Sequence, residues 1–128
     1  MYGTSGDIRG FRVCVSDDLV TWQKGDVVYD GNASAWGTDC FWAPEVYERD
    51  GRYYLFFSAN WRHNPNGDLE TFRIGVAVAD SPSGPFSDLY DRPVFDPGYP
   101  VIDANVLWDD DGRVYLYYCL LYTSDAAD

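Results

Sequence analysis

Arg49-Asp50-Gly51-Arg52-Tyr53-Tyr54-Leu55-Phe56-Phe57 returns later in the chain as Asp110-Asp111-Gly112-Arg113-Val114-Tyr115-Leu116-Tyr117-Tyr118, with Gly51 and Gly112 standing 61 positions apart. Phe11-Arg12-Val13-Cys14-Val15 returns as Phe72-Arg73-Ile74-Gly75-Val76, again 61 positions on. Two different segments sharing one offset mark an internal repeat, the signature of a supersecondary unit that stacks on copies of itself. Each copy of the first segment sets Asp-Gly between apolar, aromatic runs, the strongest short-range signal for a β-hairpin. Runs rich in Val, Ile, Tyr and Phe, broken by Gly, Asp, Asn and Pro, predict strands over 11–16, 26–29, 43–48, 53–58, 72–79, 101–108 and 113–118. No window of a dozen residues carries a helical period free of breakers.

The repeat has an ordered plan. An inner strand leads through the Asp-Gly turn to an aromatic second strand, then a long loop and a Phe-Arg-Val/Ile third strand. A turn (Ser16-Asp17-Asp18-Leu19, or Asp80-Ser81-Pro82-Ser83-Gly84-Pro85) follows, and then a weaker fourth strand near 22–29 or 86–95. Four antiparallel strands per unit make the blade of a β-propeller, so the fold class is all-β, with about two four-stranded blades. Antiparallel order places the loops 3–10, 31–41, 60–71 and 96–100 at one end and the two Asp-Gly turns at the other. Long loops on a rigid scaffold are where function is usually built. The 61-residue offset also maps Trp42 onto Asp103, predicting an aromatic plate beside a carboxylate at the same height on neighbouring blades. That pairing suits sugar chemistry: a ring face for C–H groups, and carboxylates for proton transfer. From pattern alone Asp103 reads equally as a strand-start residue bonding a neighbouring loop, and Trp42 as a core residue between blades.

Composition narrows the classes. The chain has 128 residues and 14.5 kDa, and its 46% hydrophobic and 23% charged residues are a globular balance. Aromatics at 18% fit stacked strands or a sugar-binding surface. A net charge of −12 argues against nucleic acid or an anionic membrane as partner. No apolar run approaches the roughly 18 residues of a membrane span, and Met1-Tyr2-Gly3-Thr4-Ser5-Gly6 does not open a secretory signal. Cys14, Cys40 and Cys119 contain no CxxC pair, and the one histidine, His63, is far in sequence from all three, which argues against zinc. A histidine-based triad is excluded unless His63 is its base. The consecutive Asp109-Asp110-Asp111 lacks the alternating ligands of a calcium loop and reads as an acidic hairpin turn. Asn32-Ala33-Ser34 is a formal glycosylation sequon, uninformative without a compartment, and the compartment is not legible.

Phe41-Trp42-Ala43-Pro44-Glu45-Val46, followed by Gly51-Arg52-Tyr53-Tyr54-Leu55-Phe56-Phe57-Ser58, resembles glycoside hydrolase family 43. So does Val101-Ile102-Asp103-Ala104-Asn105-Val106, followed by the second Asp-Gly hairpin. Gly10-Phe11-Arg12-Val13 with Ser16–Trp22 resembles the family's outer-strand pattern, and the likeness spans roughly residues 2–118. The resemblance implies a five-bladed propeller that hydrolyses xylose- and arabinose-containing saccharides with inversion, using an Asp base, a pKa-tuning Asp and a Glu acid. Asp103 matches the pKa-tuning Asp, with Ala104 where many members have Pro. Trp42 matches the aromatic lining the pocket for the cleaved sugar. The implied base would precede Met1 and the implied acid would follow Tyr118, so the chain is expected to be an internal fragment, inactive by itself. An oligo- or polysaccharide is the implied partner. No cofactor is required, and a structural calcium stays open for a full-length protein.

Other candidates surround these two. Ala43 and Glu45 are taken as pocket-lining, with Glu45 also open to a structural role. Trp61, His63, Thr4 and Ser5 lie on expected top loops and could meet a sugar or simply face solvent. Trp36 could be a platform or core. The partial domain is expected over 1–118, and 119–128, which departs from the repeat, resembles translated sequencing-adapter read-through. Two other readings stay open: a carbohydrate-binding propeller without catalysis, and a related five-bladed glycosidase or phosphorylase. For the phosphorylase, Arg9, Arg12, Arg62 and Arg73 form no evident phosphate site.

Overall fold

The computed structural model describes residues 1–4, 6–62 and 71–121; Ser5, His63 and residues 122–128 of the expected tail lie outside them. Among the described residues nine strands form three antiparallel sheets in chain order. The first holds β1 (Tyr2–Thr4), β2 (Gly10–Val15) and β3 (Gln23–Asp30); the second β4 (Trp42–Arg49), β5 (Arg52–Asn60), β6 (Phe72–Ala79) and β7 (Ser87–Asp88); the third β8 (Val101–Trp108) and β9 (Val114–Leu120). The second sheet is the four-stranded blade the repeat calls for. In the first sheet Thr4 faces Phe11 as Asn60 faces Phe72 in the second, so β1 and β2 repeat β5 and β6. The expected fourth strand of the second blade shrinks to Ser87–Asp88, with a separate bridge from Ile74 to Phe95. β9 runs past Tyr118 through Leu120.

Sandwiching explains the burial patterns. The second sheet is covered on both faces, so β6 is buried along nearly its whole length and reads as one apolar run, Phe-Arg-Ile-Gly-Val-Ala-Val-Ala. Leu55, Phe57, Ala59, Ala77 and Ala79 meet Phe11, Val13, Val28 and Tyr29 of the first sheet. Phe56, Ile74 and Val76 meet Val101, Ala104 and Val106 of the third. The outer sheets are covered on one face, and β8 alternates buried and exposed positions accordingly. Each junction is therefore a separate core.

The two hairpins are not built alike, and this corrects the Trp42–Asp103 equivalence. Arg49 pairs with Arg52 across a two-residue turn whose Asp50 and Gly51 both take positive φ (53° and 77°), the type I′ geometry that matches strand twist. In the second hairpin the Gly112 N–H bonds the Asp109 carbonyl (3.0 Å) and the Asp109 N–H bonds the Arg113 carbonyl (2.9 Å), with Gly112 alone at positive φ (84°). That is a three-residue loop, one residue longer. The repeat therefore runs at 61 on the β9 side and at 60 on the β8 side. Ser58 faces Trp42, and Cys119, 61 positions after Ser58, faces Ile102. Trp42 is thus the counterpart of Ile102, and Asp103 is the counterpart of Ala43.

Candidate functional site

Both inner strands carry a bulge at their first turn. Between Trp42 and Glu45, and again between Ile102 and Asn105, two residues oppose a single partner. The first bulge residue has left-handed backbone in each case: Ala43 at φ 47° and Asp103 at φ 59°. Asp tolerates this conformation better than most residues, whereas Ala carries the Cβ–carbonyl clash, roughly 1–2 kcal/mol. A hydroxyl from the preceding sheet holds each bulge. Thr4 Oγ1 accepts the Ala43 N–H at 3.1 Å, and Ser58 Oγ accepts the Asp103 N–H at 2.9 Å. Strained backbone of this kind persists only where neighbours over-determine it, and such places cluster at functional sites.

Ser58 joins the two principal candidates, since it is also the cross-strand partner of Trp42. Trp42 stacks on the buried Phe72 with ring centroids 4.5 Å apart and stays 38% exposed. Asp103 is exposed, one residue farther along its strand than the simple offset implied. Phe72 and Ser58 are residues that sequence reasoning missed. Phe72 lay inside the repeat as a strand residue, and Ser58 ended a quoted motif, but nothing local marks either as a support.

Glu45 is engaged between blades. Its Oε2 accepts the Tyr47 hydroxyl and the Asn105 side-chain amide (3.0 Å), while the Tyr47 oxygen accepts the Val106 N–H (2.9 Å). Burial, then the bond to Glu45, raises the Tyr47 hydroxyl above its ordinary value. This cluster stitches β4 to β8 next to the Asp103 bulge.

The described parts of the expected top loops do gather at one end. Gly37 bridges to Trp61, the Thr38 N–H bonds the Asn60 carbonyl (2.9 Å), and Asn60 donates to Asp39 through its side chain (2.7 Å). Trp61 is half-buried against the first core, with the Arg73 guanidinium 5.9 Å from its ring centre. Trp36 is core: 1% exposed and stacked on Phe57 at 5.5 Å. Arg73 pairs with Asp96 at 2.6 Å and donates to the Phe72 carbonyl at 2.9 Å, tying the approach to β8 to the base of the Trp42–Phe72 stack. Burial alone would raise the Asp96 carboxyl, but the Gly98 N–H and Arg73 outweigh it and hold it below the usual carboxylate range. Arg9, Arg12 and Arg62 donate to the carbonyls of Thr38, Gly25, and Ser34 and Gly37. Each of the four arginines considered for phosphate thus donates to at least one acceptor of the protein itself. Among the described residues no group of three or more His, Cys, Asp and Glu is arranged to hold a metal ion.

Known proteins carry a similar sequence, and solved structures a similar fold. The xylosidase/arabinosidase 43A of Humicola insolens is 41% identical over 83 residues, covering 65% of this chain and 23% of that protein. The crystal structure of a thermostable family-43 glycoside hydrolase superposes with a TM-score of 0.78 at 37% identity, over 91% of this chain and 36% of that one. A β-xylosidase/α-arabinofuranosidase from a compost microbial metagenome, solved with xylotriose, gives 0.68 at 35% identity, over 84% and 30%. The chain therefore spans about a quarter to a third of these relatives. The model of glycosyl hydrolases family 43 matches residues 1–125. The blades, the bulged inner strands and these matches agree: the chain belongs to glycosyl hydrolase family 43.

Proposed function

We propose that this chain forms part of a glycosidase acting with inversion on xylan- or arabinan-type saccharides, with Trp42 as the platform for the cleaved sugar and Asp103 as the carboxylate that tunes the proton donor. The observation that carries the reading is that Ser58 pairs across the sheet with Trp42, the exposed ring backed by Phe72, and also bonds the backbone N–H of the exposed Asp103. Phe72 behind Trp42 fixes the plane of the ring, so its open face meets the C–H face of a sugar at little entropic cost. A fixed negative charge near a carboxylic acid disfavours that acid's ionisation and keeps it a donor near neutral pH. Ala43 lines the same turn, and Glu45 holds it through Tyr47 and Asn105 rather than donating the proton. Two of the three relatives named above are xylosidases with arabinosidase or arabinofuranosidase activity in their names, which favours pentose substrates.

The test places residues 1–121 in the corresponding region of the Humicola insolens enzyme. In an active chimera, Asp103→Asn should lower kcat by about 10²–10⁴, the usual worth of general acid–base assistance, with KM nearly unchanged. Trp42→Ala should mainly raise KM. Unchanged kcat in the Asp103→Asn chimera would overturn the assignment. Retained xylotriose binding without turnover would favour a binding propeller.

A further inference from the structure

We propose that Ser58 is the positioning residue of this site: its buried hydroxyl holds the Asp103 backbone in the bulge that sets where the carboxylate stands. The proposal rests on the glycosidase reading and adds a residue to it. Ser58 follows the apolar run Leu55-Phe56-Phe57 on β5 and is 0% exposed. A hydroxyl buried there is costly unless it is bonded. Among the described residues its bond is the one that crosses to β8, where Oγ accepts the Asp103 N–H at 2.9 Å.

The bond falls on a residue whose backbone needs holding. Asp103 sits at φ 59°, and strain of that kind lasts only while neighbours over-determine it. Without the acceptor the backbone is free to relax toward the extended region, which re-aims the side chain. The charge of the carboxylate moves with it. Coulomb effects fall with distance, and a misplacement of about 1 Å can cost about a hundredfold in rate. A side chain remote from the sugar thus governs the carboxylate through the backbone.

The repeat shows that the bond is placed for the bulge. Ala43, the counterpart of Asp103, has the same left-handed backbone, and Thr4 Oγ1 accepts its N–H at 3.1 Å. Yet Thr4 and Ser58 are not counterparts. Tyr2 faces Val13 as Ser58 faces Ile74, and Thr4 faces Phe11 as Asn60 faces Phe72. Two different strand positions supply the same bond, so it tracks the bulged N–H rather than the repeat. The other titratable groups of the strands packed on β8 act elsewhere. Glu45 and Tyr47 accept from Asn105 and Val106, just past the bulge. Arg73 is paired with Asp96, Tyr54 packs on Trp108, and Glu48, Arg49 and Arg52 lie at the hairpin end. From β9, Cys119 and Tyr117 face Ile102 and Asn105.

Hydrolysis of xylotriose by the active Humicola insolens chimera, followed across pH, separates the outcomes. Ser58→Ala should lower kcat by about ten- to a hundredfold with KM nearly unchanged. The alkaline limb of kcat/KM, where the proton donor ionises, should move to lower pH. Asp103→Asn should move it the same way and farther, because a displaced charge guards the donor's proton less well and an absent one not at all. A folding defect would lower the rate equally at every pH. Thr4→Val, which removes the hydroxyl from the Ala43 bulge, should raise KM through Trp42 and leave that limb in place. In the 128-residue chain itself, Ser58→Ala should quicken hydrogen exchange of the Asp103 amide at least about tenfold while β6 amides keep their protection. An unmoved limb in Ser58→Ala, a limb moved as far by Thr4→Val, or an Asp103 amide that exchanges no faster would overturn the proposal and leave the glycosidase reading standing wherever Asp103→Asn is impaired. An unimpaired Asp103→Asn would remove both.

Discussion

Gly75 and Trp36 set how closely the approach to β4 lies on the second sheet. A Cβ at position 75 would lie 2.1 Å from Trp36 Cζ2, inside any real contact distance, and the indole is buried against Phe57 and cannot retreat. Gly75→Ala gains a few tenths of a kcal/mol to about 1 through the unfolded chain, but overpacking a filled core costs about 1–3, so the clash wins. The urea midpoint should fall, and Trp36→Leu in the Gly75→Ala background should recover part of the loss; equal midpoints for Gly75→Ala and the parent chain would refute the argument. Cys14 is the counterpart of Gly75 in the first blade, so a side chain is accommodated where no Trp36-like ring lies. Asp96 gives a pH prediction. Its folded-state value is depressed, so its contribution is present above the unfolded carboxyl value of about 4 and lost as pH falls through the lower folded one. Asp96→Asn should therefore flatten the acid limb of stability below about pH 4 and leave the slope near neutrality alone, as read by denaturant midpoints across pH.

The hairpins show how an element absorbs a difference between repeats. β8 keeps its faces because the extra residue sits in the turn, where a three-residue loop closes on Gly112 at positive φ. Deleting Asp110 would leave Asp111-Gly112 as a two-residue turn like Asp50-Gly51, still flanked by Asp109 and Arg113. Stability should change by no more than about 1 kcal/mol, with Val106 staying buried and Leu116 half-buried. Deleting Leu107 instead, between the bulge and the turn, would set Val106 and Trp108 next to each other and turn one of them to the other face, and a side-chain period of two offers no partial solution. The unfolding free energies of the two deletions, read from denaturant titration, should differ by several kcal/mol; similar values would mean that the turn does not set the register.

At the scale of the whole molecule, two junctions hold three sheets, and Phe57 centres the first. Its ring lies 4.8–6.0 Å from those of Tyr29, Trp36, Phe11 and Phe41. Phe57→Ala should cost about 3–5 kcal/mol and loosen the first sheet selectively. Hydrogen exchange should quicken in β2 and β3 while β8 keeps its protection, because the second junction rests on Phe56, Ile74, Val76 and Trp108. Uniform loss of protection would show one cooperative unit. Strand positions, hairpin sites, blade order and the gathering of loops at one end were set by alternation, Asp-Gly turns and the repeat, because period and turn chemistry act over a few residues. So was the choice of Trp42 and Asp103, whose motifs resemble the family's. Other features depend on which side chains meet across sheets. The one-residue register difference, the Thr4 and Ser58 hydroxyls on the bulges, Phe72 behind Trp42, and the Glu45–Tyr47–Asn105 cluster join residues up to 60 positions apart. No local pattern encodes such contacts; only the packing of one blade on the next brings them together.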